Sequence, residues 1–283
     1  MTGSVGTHYS ELIFLQMKKG RLLCFLMVCS SVMYGQEVTD MRKLIHENFV
    51  FAEKQYRFMM KQNPTPDKMP QSYNEKTGKF DARDITWWCS GFYPGSLWYI
   101  YEQTGSTAIR EEAERALKVI EPNQHFTGNH DLGFMVFCSF GNAYRITGKE
   151  EYKPIILNGA KALATRYRPQ ILSIQSWNKN SYFNCPVIID NLMNLEMMIW
   201  ATQNGGEPRF REIAVNHANT AIKHHFRPDY SSYHVIDYDL ETGLPRRKAT
   251  WQGAANSSAW ARGQAWALYG YTMLYGLTKD PAY

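Results

Sequence analysis

Two aspartates stand in settings that could tune a carboxyl group for proton transfer. Asp190 lies in residues 186–195, Pro-Val-Ile-Ile-Asp-Asn-Leu-Met-Asn-Leu, and Asp131 lies in residues 130–134, His-Asp-Leu-Gly-Phe. Burial raises the pKa of a carboxyl group, and a second carboxylate nearby raises it further. A carboxyl with a raised pKa can donate a proton near neutral pH. Both aspartates also fit a plainer role as helix N-caps. The sequence leaves the two interpretations open for Asp190 and slightly favours the cap for Asp131.

Arg262 stands between two tryptophans in a second segment with chemical potential. Arg262 and Trp266 are four residues apart, which places them on one face of a helix, and Trp260 comes two residues earlier. An arginine beside indole rings suits a carboxylate-bearing sugar, through forked hydrogen bonds and stacking. The alternative is a core arginine that binds backbone carbonyls. His234 is a possible ligand contact, although its position alone favours a plain surface residue.

The elements that would position these residues are repeated helix pairs. Four times an apolar, aromatic-rich segment ends at a glycine or polar residue, and a short turn then opens an amphipathic segment. An all-apolar helix is buried, and a striped helix covers a surface. We therefore predict an all-α fold of helical hairpins. The predicted inner helices are residues 91–101, 133–144, 187–201 and 264–276.

In such an array the starts of the inner helices meet at one end. This arrangement would bring Asp131, Asp190 and Arg262 into one pocket. A long irregular insertion between residues 226 and 258 interrupts the pattern, with strand-like alternation over 231–239 and a turn at 241–243. An insertion of this length is usually functional.

The first 35 residues resemble a leader. Residues 17–35 have a basic start, an apolar stretch over 22–33 and small or polar residues near Gly35, the layout of a secretory signal peptide. Residues 1–16 precede this second start at Met17 and read as a spurious extension, so the predicted domain is 36–283. We expect periplasmic or secreted localisation. A lipoprotein cleavage box ending at Cys29 fits less well, because Val28 is a poor residue there.

Composition excludes several functional classes. The 283 residues carry a formal net charge of +5 without a Lys/Arg run, so no nucleic-acid partner is predicted. The apolar stretch is too short for a membrane span. Cys89, Cys138 and Cys185 have neither metal-ligand spacing nor the even number of a disulfide framework, so we expect small buried thiols. Aromatic residues make up 14%, which serves either a large core or a carbohydrate site.

Together these segments resemble glycoside hydrolase family 88, the unsaturated glucuronyl hydrolases, from about residue 45 onward. The ordered set of matching strings carries the resemblance, and no single string would suffice. The strings are Trp88-Cys-Ser-Gly-Phe-Tyr-Pro-Gly95, His130-Asp-Leu-Gly-Phe134, Ile188-Ile-Asp-Asn-Leu-Met-Asn194, His234 with Tyr238-Asp239, Gln252-Gly253 and Trp260-Ala-Arg-Gly-Gln-Ala-Trp266.

The resemblance implies an (α/α)6 toroid that removes 4,5-unsaturated uronic acid from oligosaccharides made by polysaccharide lyases. It implies Asp190 as general acid and base and Asp131 as the second essential carboxylate, without a metal or other cofactor. The glycosaminoglycan and the oligomeric state stay open. The implied sugar-binding residues are Trp88, His234, Gln252, Trp260, Arg262 and Trp266.

One departure and three alternatives accompany the resemblance. The family toroid has six hairpins, whereas this sequence stops within the fourth, so we expect exposed aromatics along residues 264–276. An unsaturated rhamnogalacturonyl hydrolase is disfavoured because Arg262-Gly-Gln-Ala-Trp266 replaces its usual Arg-Gly-Asn-Gly-Trp. A non-catalytic sugar-binding toroid does not need two acids at helix starts. A purely structural repeat is disfavoured by the density of polar and aromatic groups in 251–266.

Overall fold

The computed structural model describes residues 40–62 and 66–283. The chain falls into two units, residues 1–54 and 55–283. The first unit is described over residues 40–54, which are helical and contain an ion pair between Lys43 and Glu47. Helix α1 covers residues 40–62. The predicted signal peptide and the extension before it lie outside the described residues. No described helix is long and apolar enough to cross a membrane.

Helical hairpins dominate the second unit, as predicted. Within residues 66–283, three complete hairpins are followed by the inner helix of a fourth, and together they form part of an α/α toroid. The second inner segment begins as a π-helix, Gly133–Gly141, before it continues as an α-helix. The helices are α2 (Phe92–Thr104), α3 (Thr107–Ile120), α4 (Asn142–Thr147), α5 (Tyr152–Ala164), α6 (Leu195–Gln203), α7 (Pro208–His225) and α8 (Ala261–Thr278).

The turns between paired helices follow the predicted chemistry. Gly105 ends α2 and Gly148 ends α4, each with a positive φ, 67° and 65°. Glycine adopts this left-handed conformation without the steric penalty of a Cβ atom. Ser106 then caps α3, where its hydroxyl accepts a hydrogen bond from the Ile109 N–H. The repeated Thr-Gly phrase therefore marks real helix ends.

Three small antiparallel sheets complete the second unit. The predicted irregular insertion contains the expected hairpin, β6 and β7, with Gly243 in its turn at a φ of 71°. These two strands extend a third, so the sheet order is β5-β6-β7. The strands are β1 (Met69–Asn74), β2 (Lys79–Arg83), β3 (Tyr167–Arg168), β4 (Ser173–Ile174), β5 (Cys185–Ile188), β6 (Val235–Tyr238) and β7 (Pro245–Ala249).

The predicted start of the third inner helix at residue 187 is wrong. Residues Cys185–Ile188 form the buried strand β5, and Ile189–Asn194 form a 3-10 turn before α6 begins at Leu195. A short, fully apolar run does not distinguish a buried strand from a buried helix, and β-branched Val and Ile favour the strand. The β1–β2 hairpin was also not predicted, because most of its residues are exposed and its hydrophobic pattern is weak.

Helix α8 is buried along a narrow stripe only. The stripe consists of small residues and Leu274, while Leu268 is 72% exposed and Tyr275 is 51% exposed. Of the aromatics expected to be exposed along 264–276, Tyr269 and Tyr275 are exposed, whereas Trp266 and Tyr271 are half-buried. A Cβ atom at Gly270 would lie 2.5 Å from the Leu192 Cβ. The missing side chain lets α8 approach the 3-10 turn that carries Asp190.

The three described cysteines are free thiols. Cys185 is fully buried, and Cys89 and Cys138 are partly exposed. The expectation of small buried thiols thus holds fully only for Cys185.

Candidate active site

The eight predicted site residues lie in one cluster, near the starts of four inner segments and beside the ends of β6 and β7. Asp131 comes directly before the π-helix, and Asp190 lies in the 3-10 turn Ile189–Asn194. Arg262 stands in the first turn of α8. The starts of the inner helices therefore converge, as predicted.

The β5–β6 ladder sets the position of Asp190 relative to His234. Ile188 pairs with Val235 in the antiparallel register. Just beyond this pair, the Ile189 N–H donates to the His234 carbonyl over 3.0 Å. The two side chains consequently face each other, with His234 Nε2 3.7 Å from Asp190 Oδ2.

Asp131 has a histidine partner as well, its sequence neighbour. His130 Nε2 lies 3.3 Å from Asp131 Oδ1, and His130 is fully buried. On the other side of the ring, Asn194 Nδ2 lies 3.4 Å from His130 Nδ1. The Gly133 N–H donates to Asn194 Oδ1 over 2.8 Å, and this bond fixes the orientation of the amide. A Cβ atom at Gly133 would lie 2.5 Å from the same oxygen, so this contact requires glycine.

The hydrogen-bond donors around both histidines determine their tautomers. His234 Nδ1 accepts from the backbone N–H groups of Trp251 and Gln252, at 3.1 and 3.2 Å. His130 Nδ1 faces the amide nitrogen of Asn194, which can only donate. Burial lowers the pKa of His130 to about 3 and that of His234 to about 4, so both rings are neutral. Each ring therefore carries its proton on Nε2, the atom that faces a carboxyl group.

Both carboxyl groups have raised pKa values. Burial raises the pKa of Asp131 to about 7, against a smaller opposing effect of Arg166. Burial also raises the pKa of Asp190 to about 7. The charge of Asp131 adds to that increase, while the Asp190 backbone N–H, Arg262 and the Trp266 indole oppose it. Either group can therefore hold or release a proton near neutral pH.

Arg262 and four aromatic side chains form the wall beside Asp190. The Arg262 guanidinium lies 4.4 Å from the Trp260 ring centroid and 5.6 Å from that of Trp88, and it donates to Gln252 Oε1 over 2.7 Å. The Trp266 ring lies 5.3 Å from Phe134, whose ring is 5.7 Å from Trp88. The Trp260 ring also contacts His234, with centroids 4.5 Å apart. A cation framed by indole faces suits an anionic sugar.

The alternative roles considered for these residues are not observed. The N-caps of the π-helix, the 3-10 turn and α6 are Leu132, Ile188 and Asn194, so neither aspartate caps a helix. Arg262 is exposed and hydrogen-bonds a side-chain amide, unlike a core arginine. His234 is 2% exposed, so it is not a surface residue.

Four neighbours of the acids were not predicted as site residues. His130 belongs to the His-Asp-Leu-Gly-Phe motif but had no predicted role, although its position next to Asp131 could have indicated one. Arg166 is buried and donates to backbone carbonyls of Thr127, Gln175 and Ser176. The Ser176 hydroxyl accepts from the Ile188 N–H and from Asn191. Trp177 contacts the His234 ring, with centroids 6.1 Å apart. The last three lie outside the sequence motifs that contain the acids, and no local pattern marks them.

Several buried polar atoms converge here without a hydrogen-bond partner in the described part of the chain. They are Asp190 Oδ2, His130 Nε2, His234 Nε2 and Trp266 Nε1. Buried polar groups are nearly always hydrogen-bonded, and exceptions point to function. A cavity of about 640 Å³ lined by Gly133, Glu196 and Tyr269 includes neither aspartate. Among the described residues, no group of three or more His, Cys, Asp or Glu side chains could hold a metal ion.

The profile of Glycosyl Hydrolase Family 88 matches residues 53–279. An unsaturated glucuronyl hydrolase of Formosa agariphila is 47% identical over 198 residues, 69% of this chain and 50% of the relative. An unsaturated chondroitin disaccharide hydrolase of Streptococcus pyogenes serotype M1 is 34% identical over 218 residues, 73% of this chain and 53% of the relative.

A solved structure is also similar. The crystal structure of an unsaturated glucuronyl hydrolase specific for heparin matches with a TM-score of 0.74 and 46% identity, over 77% of this chain and 58% of that chain. The chain spans about half the length of the curated relatives it matches.

Proposed function

The chain belongs to glycosyl hydrolase family 88, and on that premise we propose that the protein removes a 4,5-unsaturated uronic acid from an oligosaccharide. Asp190 is the proposed general acid and base, and Asp131 is the proposed second essential carboxylate. The single observation that carries the proposal is the Asp190 carboxyl group. It is buried, its pKa is raised to about 7, and its Oδ2 has no hydrogen-bond partner among the described residues.

The first step is proton transfer to carbon. The substrate contains a vinyl ether, C4=C5–O5, whose C4 accepts the Asp190 proton. The electron pair of the double bond forms the new C–H bond, and positive charge develops on C5 and O5. The negative charge of Asp131 keeps Asp190 protonated before this step, since it raises the pKa of that carboxyl.

The second step is addition of water. The Asp190 carboxylate takes a proton from a water molecule, whose oxygen bonds to C5. The resulting hemiketal opens to a C5 ketone, and the group on C1 leaves as an alcohol. One water molecule is consumed, and Asp190 ends protonated as it began.

The remaining residues hold the sugar in this scheme. The Arg262 guanidinium pairs with the uronate carboxylate, and Gln252 orients that guanidinium through its 2.7 Å hydrogen bond. Trp88, Trp260 and Trp266 supply apolar faces for the ring. The neutral His234 presents its Nε2–H toward Asp190 and the sugar.

The proposed substrate class is glycosaminoglycan fragments. The similar proteins are named for unsaturated glucuronyl, chondroitin disaccharide and heparin substrates. None of these names refers to pectin, so the rhamnogalacturonyl alternative is not favoured. A non-catalytic sugar-binding protein would not need two buried acids with raised pKa values.

The test uses the intact protein and lyase-made unsaturated disaccharides. We expect the ultraviolet absorbance of the double bond to disappear and a free reducing sugar to appear in equal amount. Saturated disaccharides of the same composition are the control and should not be cleaved. Persistence of the absorbance with every glycosaminoglycan disaccharide would contradict the proposed function.

We also propose that the protein is exported. The support is the order of basic, apolar and small residues over 17–35. Fractionation of cells that express the protein with and without residues 17–35 tests this. Equal amounts of both forms in the cytoplasm would contradict export.

A further inference from the structure

A line of aromatic rings leads away from His234 toward the protein surface. The Trp177 ring contacts Phe183 at 6.1 Å between centroids, and Phe183 contacts Trp251 at 5.8 Å. Trp251 then packs against Tyr182, with centroids 5.4 Å apart. Because the Trp251 backbone N–H donates to His234, this line begins at the candidate site itself.

Its outer members are exposed aromatic side chains in mutual contact. Tyr182 is 64% exposed and Trp251 is 56% exposed, whereas Phe183 beneath them is only 4% exposed. Phe183 packs with Ile188, Val235 and Ala249 of the β5-β6-β7 sheet. The two outer rings thus rest on a rigid base and present flat apolar faces to solvent, the type of surface on which sugar rings stack.

A fixed cation accompanies these rings. The Arg247 guanidinium lies 4.9 Å from the Phe183 ring centroid and donates to the Tyr182 carbonyl. Over residues 40–62 and 66–283, Arg247 forms no ion pair with a carboxylate, and neither does the exposed Lys179 nearby. Guanidinium has five N–H donors, and only one of them is hydrogen-bonded to a described residue. The others are available to an anion.

The neighbouring carboxylates are already engaged. Asp237 accepts from the backbone N–H groups of Asn184 and Cys185 and lies 3.5 Å from Arg246. Asp239 accepts from the backbone N–H groups of Glu241 and Thr242. These acids therefore leave the charge of Arg247 uncompensated.

We propose that Tyr182, Phe183, Trp251 and Arg247, the aromatic platform, bind the sugars beyond the unsaturated residue. Exposed rings beside an unpaired cation favour sugars that carry an anionic group, a sulfate or a carboxylate. This inference rests on the proposed function for the identity of the ligand, and it adds a second subsite outside the acids. Arg247 supplies selectivity for charge, and the rings supply affinity that does not depend on charge.

The test is a binding measurement that needs no turnover. Tetrasaccharides of chondroitin sulfate released by a hydrolase have no unsaturated end, so they occupy the platform without being consumed. Calorimetric titration of the intact protein compares the sulfated tetrasaccharide, its desulfated form, which retains only carboxylates, and a neutral tetrasaccharide. We expect Tyr182→Ala to weaken all three about threefold to tenfold. Arg247→Gln should weaken only the anionic ones, by about tenfold or more.

Two matched substitutions serve as controls. Tyr275→Ala removes a tyrosine that is 51% exposed and lies near Lys279, and Arg209→Gln removes an exposed arginine on α7. Neither should change the affinity, and thermal melting of all four variants reports folding. If Arg247→Gln lowers the affinity for the sulfated tetrasaccharide more than for the desulfated one, the anion is sulfate. If the affinity for both falls equally, the anion is the carboxylate.

Wild-type affinity in Tyr182→Ala and Arg247→Gln, or no binding of any tetrasaccharide to the wild-type protein, would overturn the platform. The disaccharide absorbance test reports the proposed function separately. A protein that cleaves the disaccharide but shows no platform effect loses only this inference. A protein that binds through the platform but leaves the double bond intact loses only the proposed function.

Discussion

The two halves of the candidate site have the same chemistry but different surroundings. The Asp131 half consists of Asp131 and His130, and the Asp190 half consists of Asp190 and His234. In both, a buried acid faces the Nε2–H of a neutral histidine, at 3.3 and 3.7 Å. The acids are equally buried, each 8% exposed. The halves differ in the cation that each acid experiences.

The cation of the Asp131 half is Arg166, which is 4% exposed and held by backbone carbonyls. The cation of the Asp190 half is the exposed Arg262, whose guanidinium lies between indole rings. A bound anion can therefore reach Arg262 but not Arg166. The protein alone therefore determines the charge beside Asp131, whereas a bound anion can change the charge beside Asp190. This difference suits Asp190 to proton transfer to a bound sugar, and it leaves the cation beside Asp131 unchanged when an anion binds.

The largest expected effect separates the halves directly. Asp190→Asn should lower kcat by a factor of about 10² to 10⁴, because removal of a general acid typically costs that much. Substrate binding and the helical signal should be retained. The measurement is loss of double-bond absorbance alongside titration with the unsaturated disaccharide. Near-normal turnover in the variant would remove Asp190 from its proposed role.

The next effect contrasts the two arginines. Arg166→Met should destabilise the fold by about 3 kcal/mol, because several buried carbonyls lose their donor. Arg262→Lys should leave the melting temperature unchanged and lower kcat/KM, since lysine keeps the charge but loses the planar fork. Denaturant unfolding and steady-state kinetics on both variants check this. A stability loss confined to Arg262→Lys would reverse the comparison.

A smaller effect, on stability, is expected from substituting two glycines, one packed against Asn194 in the Asp131 half and one against the turn that carries Asp190. Gly133→Ala places a methyl group 2.5 Å from Asn194 Oδ1, and Gly270→Ala places one 2.5 Å from the Leu192 Cβ. Each should cost about 1–3 kcal/mol of folding free energy, as overpacked cores do. Gly276→Ala is the control, because no heavy atom outside its chain neighbours and the adjacent backbone of α8 lies within 4 Å of its Cβ position. Equal melting temperatures in all three would show that neither approach is tight.

The smallest expected effect is a shift in the pH dependence of kcat/KM. If protonated Asp190 is the active form, kcat/KM falls as pH rises through its pKa of about 7. Asp131→Asn removes a charge that raises this pKa, so the fall in the residual activity of that variant should move to lower pH. Arg262→Gln removes a charge that lowers it, so the fall should move to higher pH. Shifts in the same direction would mean that charge does not tune Asp190.

The sequence was sufficient for the helical hairpins and for the residues that gather around Asp131 and Asp190. Thr-Gly phrases marked helix ends, and the motifs around Asp131, Asp190 and Arg262 are local. Local patterns could not reveal β5, because an apolar run ending at Asp190 reads equally well as helix. Nor could they reveal Arg166, whose charge lowers the pKa of Asp131, or Ser176, whose hydroxyl accepts hydrogen bonds from Ile188 and Asn191 beside Asp190. Long-range pairing, which decides these positions, leaves no periodic signal in a single sequence.

The pairing of β5 with β6 fixes the spacing of Asp190 and His234 at one end of the sheet and leaves the loops at the other end free to vary. At one end of the ladder Ile188 pairs with Val235, next to Asp190 and His234, and at the other end Cys185 pairs with Tyr238. The loops 178–184 and 239–244 join the sheet at that second end. Insertions and substitutions there leave the hydrogen-bonded ladder intact, so the spacing of acid and histidine persists. We therefore expect relatives with new saccharide preferences to differ first in these two loops, while the ladder itself stays nearly unchanged.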